Sequence, residues 1–217
     1  MAGRVKTMKR IAIAAILTLT MAVAFASGDA DKKINPSETG GTYIGDVVTD
    51  AMRAALGADI AFINGASLGY EALPEKLGKD NISKVVPFTS DAVVVVKIKG
   101  DAILAALEQS CSRLPRRSST FLQVSGITFT CDMNKEPGKR VSAAKTGSSA
   151  LEPGKEYTVA TTEFISSGGG GLKSFKDSKS AGDKTMTIGD IMLKNANYEG
   201  KKAGEPSTRI KIIDEKK

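Results

Sequence analysis

The 217-residue chain has no histidine, no tryptophan and two cysteines. The missing histidine excludes the most. Without an imidazole there is no Ser-His-Asp triad, no histidine general base and no histidine-ligated zinc or iron within this polypeptide. Two thiols cannot build a four-thiolate site, so only all-oxygen ligation of magnesium or calcium stays open on ligand grounds. No cofactor is expected, and no residue is assigned to metal binding or catalysis. The carboxylates Asp46, Asp50, Glu163 and Asp190 are scattered and form no recognisable acid–base pair. Aromatic residues make up 5% of the chain and no basic stripe is interleaved with them, so nucleic acid is not an expected partner. At 41% apolar and 25% charged, the composition is that of a globular protein and argues against wholesale disorder or a polytopic membrane protein.

The first 26 residues read as a secretory signal peptide. Arg4, Lys6, Lys9 and Arg10 form a basic start, Ile11 to Ala26 is apolar apart from Thr18 and Thr20, and Ala24-Phe25-Ala26 is an A-x-A cleavage pattern. A membrane-spanning helix needs roughly 20 apolar residues, and the small residues at the end favour cleavage. The expected location is therefore periplasmic or secreted, with no membrane anchor after cleavage. Removal leaves about 190 residues, enough for one domain with its own core. It also removes four of the cations behind the formal charge of +7, leaving a mixed surface with only a mild positive excess.

Residues 27–40 are polar and read as a flexible N-terminal arm, with one folded domain over residues 41–217. Apolar residues at 44, 47, 48, 51, 52 and 55, with Thr42 as cap and Gly57 as stop, predict a helix. Residues 58–63 predict a buried strand running into an Asn64-Gly65 turn, and residues 67–84 read as loop with at most one short helix. Strands are expected at 92–99, at 121–131 with a break at Ser125-Gly126, and at 140–145, 156–164 and 208–213. Helices are expected at 102–113, capped by Asp101, and from Thr187 to about residue 197. The mixture predicts an α/β (α+β) domain, layered, with a mixed β-sheet flanked by helices.

Four constellations carry candidate chemistry. The run Gly168-Gly169-Gly170-Gly171 after a strand can turn backbone N–H groups toward an anion, but it lacks the Lys-Ser/Thr of a P-loop and read alone is a turn. Asn64 and Gly65 make a tight turn at the edge where open α/β sheets gather ligands. Phe88 and Phe164, near the ends of two predicted strands, are each ordinary core candidates; together they could clamp a planar ligand. Cys111 and Cys131 are either two buried thiols or a disulfide worth about 3 kcal/mol, and an oxidising compartment favours the bridge. The Arg113, Arg116, Arg117 cluster is read as a solvated loop.

In order along the chain, "TYIGDVVTDAMRAALGADIAFING", "VVPFTSDAVVVVKIKGDAILAALEQS", "FLQVSGITFTCD", "PGKRV" and "EPGKEYTVATTEFISSGGGG" resemble the C-terminal domain of 5′-nucleotidases. The resemblance implies that domain's fold and a link to nucleotide catabolism. Whole family members pair it with a metallophosphoesterase domain whose two metals perform the hydrolysis. The present chain is expected to hold only the substrate-binding half and not to hydrolyse by itself. Phe88 and Phe164 match the two aromatics that sandwich the base, Asn64 matches an asparagine that helps hold the nucleoside, and Gly168, Gly169 and Gly170 fall in the loop beside the ligand. The family's two arginines fall on Gly40 and Gly69, and its ribose-binding aspartate on Gly170. The implied partner is thus a nucleoside- or nucleotide-like molecule. The alternatives are a subunit completed by a separate metallophosphoesterase chain, and a degenerate structural or interaction domain.

Overall fold

The computed structural model describes residues 35–182, 185–198 and 203–215. The expected signal peptide and the first part of the expected arm lie outside them. No helix among the described residues is long and apolar enough to cross a membrane.

Local signals set the first elements. Helix α1, Tyr43–Leu56, begins where the Thr42 hydroxyl accepts the Gly45 N–H, and ends at Gly57, whose φ of 66° closes the last turn. It buries Ile44, Val47, Val48, Ala51 and Met52 on one stripe. Strand β1, Ile60–Asn64, is buried throughout, and β2, Ala92–Lys99, occupies the stretch its valines predict. Helix α2, Gly100–Cys111, starts before the expected Asp101 cap. The correction has a backbone cause. The N–H groups of Gly100 and Asp101 donate to the carbonyls of Lys155 and Pro153, so the first turn needs no capping side chain. At its other end, the Arg140 guanidinium donates to the carbonyls of Cys111, Ser112 and Leu114, which gives the arginine of "PGKRV" a structural task.

The remaining elements are β3 Leu122–Ser125, β4 Thr128–Asp132, β5 Val141–Thr146, β6 Ser149–Ala150, β7 Glu156–Thr162, α3 Glu163–Ser166, β8 Lys179–Ser180, β9 Met186–Thr187, α4 Ile188–Asn195 and β10 Ile210–Ile213. The strands form two sheets rather than the one expected. The larger has the order β3-β1-β7-β2-β8, with β9 also paired to β2; the smaller has the order β10-β4-β5-β6. Both are mixed, because β1 runs parallel to β7 and β10 parallel to β4 while the other pairs are antiparallel. The chain changes sheet at Gly126, whose φ is 75° and whose missing side chain leaves room for the Asp59 carbonyl.

The period of two along β1 divides the core. Ile60 and Phe62 pack with Ile103 and Leu107 of α2 and with Phe129 and Ile210 of the smaller sheet. Ala61 and Ile63 pack with Val48 and Met52 of α1 and Ile191 and Met192 of α4. Each large aliphatic side chain buried this way contributes roughly 1.5–3 kcal/mol.

Two further expectations change. The arm of residues 27–40 is packed from Asn35 onward, where Ser37 and Glu38 are buried in a short 3-10 turn. Gln123, from the "FLQVSG" segment, fastens it. This buried amide accepts from the Thr42 N–H and hydroxyl at 2.9 and 3.2 Å and donates to the carbonyls of Ser37 and Gly40 at 3.0 and 2.8 Å. The two cysteines of the expected disulfide, Cys111 and Cys131, are brought together in the core, both buried and unbridged in this structure. The Cys111 thiol hydrogen-bonds the Cys131 sulfur, and this bond, followed by burial, pushes its pKa up.

Candidate functional site

β1 ends at Asn64, β7 ends at Thr162 and β2 begins at Ala92, and the register aligns these three termini at one end of the larger sheet. Phe62 lies beside Thr161, and Thr162 lies opposite Val93. Phe88 enters this end on a turn closed by the Asp91 N–H donating to the Phe88 carbonyl at 2.9 Å. Phe164 is not on a strand, as expected, but on the single-turn helix α3 that follows β7. There the Thr162 hydroxyl accepts the Ile165 N–H. Phe88 is 54% exposed and Phe164 49%; with Tyr70, at 37%, they are the exposed large hydrophobic side chains of the described residues. That exposure excludes the core reading of both phenylalanines. Tyr70 was missed because nothing in the irregular stretch around it separates a binding ring from any loop tyrosine.

A cavity of about 390 Å³ opens beside Phe164, lined also by Asp91, Ala92, Thr162, Glu163 and Ser167. Phe88 reaches the same sheet end without lining it. The two rings are not stacked on each other; the paired rings are Phe62 and Phe175 in the core, 6.1 Å apart and edge-on.

The glycine run folds back onto Phe164. Gly168, Gly170 and Gly171 have φ values of 83°, 65° and 85°. A methyl group added at Gly169 would strike the Phe164 ring, and one at Gly170 the Thr120 methyl. Glycine is needed here both for the turn and to let the loop lie flat against the ring. The stem of Lys176 lies along Gly168.

Asn64 and Gly65 sit at the same end but are buried. Asn64 donates to the Ser119 carbonyl at 3.2 Å and accepts the Ser67 hydroxyl at 3.0 Å. Gly65 donates to the Phe121 carbonyl, and its own carbonyl accepts from Asn35 at 3.1 Å. Both therefore hold the turn at this sheet end. Of the other glycines of interest, Gly69 has the Lys84 carbonyl where a side chain would start, whereas Gly40 would meet only Ile212, at an ordinary 3.5 Å.

The opposite end of the sheet is polar. Arg209 contacts Asp50 at 2.6 Å and Asp46 at 3.4 Å, the Ser125 hydroxyl donates to Asp50, and Arg53 donates to the Ser125 oxygen at 2.9 Å. Burial raises the Asp46 pKa above its ordinary value, against the opposing influence of Arg209. Of the arginine cluster, Arg117 pairs with Glu38 at 2.6 Å.

Comparison with known proteins gives a consistent result. The family model "5′-nucleotidase, C-terminal domain" matches residues 18–177. A trifunctional nucleotide phosphoesterase of Bacillus subtilis, YfkN, is 33% identical over 184 residues, which is 79% of this chain and 12% of that protein. The 5′-nucleotidase of Bos taurus is 30% identical over 120 residues, 50% of this chain and 21% of its own. The crystal structure of a 5′-nucleotidase precursor from Thermus thermophilus superposes with a TM-score of 0.65 at 25% identity, over 83% of this chain and 37% of that one. The chain thus spans a minor part of each of these proteins.

Proposed function

The chain belongs to the 5′-nucleotidase C-terminal domain family, and on that premise we propose that it is an exported binding module. In this reading it holds a nucleoside- or nucleotide-like planar molecule against Phe88 and Phe164, serves nucleotide catabolism and does not hydrolyse phosphate by itself. The observation that carries this is the exposure of both rings at one sheet end, with a glycine loop lying against one of them. Apolar rings exposed to water at an otherwise well-packed end lose free energy unless something covers them, and a stacked base contributes roughly 1–3 kcal/mol. Glycine at positions 40, 69 and 170 removes charge-assisted hydrogen bonds worth about 1.5–3 kcal/mol each, so affinity for the phosphate and ribose is expected to be low. Asn64 and Gly65 act in this reading by holding the turn under the ligand. Export rests on the leader pattern of residues 1–26. The residues do not fit the dimetal centre of a metallophosphoesterase, since the chain has no histidine to ligate it.

Isothermal calorimetry of the chain against nucleosides and nucleotides tests the proposal. Heat of binding that disappears in both Phe88→Ala and Phe164→Ala is expected. Binding that survives both substitutions would refute it. A second reading is a subunit completed by a separately encoded metallophosphoesterase, since the chain has no histidine for a dimetal centre of its own. Pull-down from an extract, with the recovered material assayed for nucleotidase activity, separates the two.

A further inference from the structure

The charged residues lining the cavity at the aromatic end are of one sign. The cavity beside Phe164 is lined by the acidic residues Asp91 and Glu163 together with Ala92, Thr162 and Ser167; no lysine or arginine lines it. Both acidic residues are tied to the rings by the backbone. Asp91 closes the turn that carries Phe88 and is itself held by Ile188, whose N–H donates to the Asp91 carbonyl at 2.9 Å. Glu163 directly precedes Phe164 in the first turn of α3. Two nearby cations do not line the cavity. Lys176 lies along Gly168 without lining the cavity, and Arg117 is paired with Glu38.

An anion placed in this cavity has two acidic residues and no cation in its lining. A positive ring placed there meets both acidic residues and the electron-rich faces of exposed aromatics. From this we infer that the aromatic end selects planar heterocycles that are uncharged or positively charged, and discriminates against their phosphorylated forms. The inference rests on the binding reading above and adds the charge class of the ligand. It makes the domain a receiver of dephosphorylated nucleosides, the class that a phosphomonoester hydrolase releases, or of cationic heterocycles, rather than of the nucleotide.

The test is calorimetry at constant ionic strength with five probes: adenosine, uridine, their 5′-monophosphates, and 1-methyladenosine, whose ring is cationic at neutral pH. For whichever nucleoside binds, the monophosphate is expected to bind about tenfold more weakly. The cationic purine is expected to bind at least as tightly as adenosine. Combining Asp91→Asn with Glu163→Gln, neither of which breaks a side-chain hydrogen bond shown in the structure, should shrink the gap to about twofold, and so should added salt. A monophosphate that binds as tightly as its nucleoside overturns the charge inference while leaving the aromatic site standing. A gap that persists in the double variant also overturns it, because the discrimination then lies elsewhere. Absence of heat with all five probes, from protein that is folded by circular dichroism, removes the binding reading and this inference together.

Discussion

The two ends of the six-stranded sheet are finished in opposite ways. At one end Arg209 pairs with Asp46 and Asp50, and Ser125 links Asp50 to Arg53, so that these groups are joined into one network inside the fold. At the other, two phenylalanines stand about half exposed over buried hydrogen-bonded turns, beside carboxylates with no cation lining their cavity. The first end spends its chemistry on holding the molecule together. The second leaves its chemistry available, and that difference locates the candidate site more firmly than any single residue there. Cavities occur at both ends, so a cavity alone would not have separated them.

Substitutions can sharpen or break this contrast. The largest effect is expected from Gly69→Arg. The Lys84 carbonyl occupies the space of the new side chain, so the loop must move, at a cost of about 3 kcal/mol or more, read as a collapse in soluble yield and thermal midpoint. Gly40→Arg, where only Ile212 is met, should change the midpoint little. If both are tolerated equally, the close approach at Gly69 is not a constraint. Next, Arg209→Ala should cost about 2 kcal/mol in urea unfolding, because Asp46, with a side chain 19% exposed, loses its cation. A change near zero would show that the polar end contributes nothing to stability and would dissolve the comparison. The smallest stability effects belong to Phe88→Ala and Phe164→Ala, each within about 0.5 kcal/mol, since half-exposed rings give little to the core. A loss of several kcal/mol from either would reclassify it as packing.

Much of the fold was legible because its signals are local. The Thr42 cap, the Gly57 stop, the valine run of β2 and the Thr187 cap of α4 act within a few residues of themselves, and each element lies where those signals place it. Other features depended on distant partners. Helix α2 starts early because carbonyls more than fifty residues away satisfy its first turn. The strand prediction through Phe164 failed because the edge of β7 is decided by its neighbours, and β7 gives way to α3 once the chain runs past the end of β2. Gln123 showed no periodic signal, yet it ties residues 37, 40 and 42 to β3. Tyr70 is recognisable as exposed only once the core is assembled.

By itself the sequence determined the chemistry the chain excludes, the helices and strands with local caps and stops, and the ordered blocks that mark its family. These follow from side-chain identity and from hydrogen bonds that close over three or four residues. Only the tertiary structure decided that two sheets form instead of one, that Cys111 and Cys131 meet in the core, and that Phe88, Phe164 and two acidic residues share one sheet end. The physical reason is that exposure and net local charge are properties of an assembled surface, set by which residues are left over when every other side chain has found its partner.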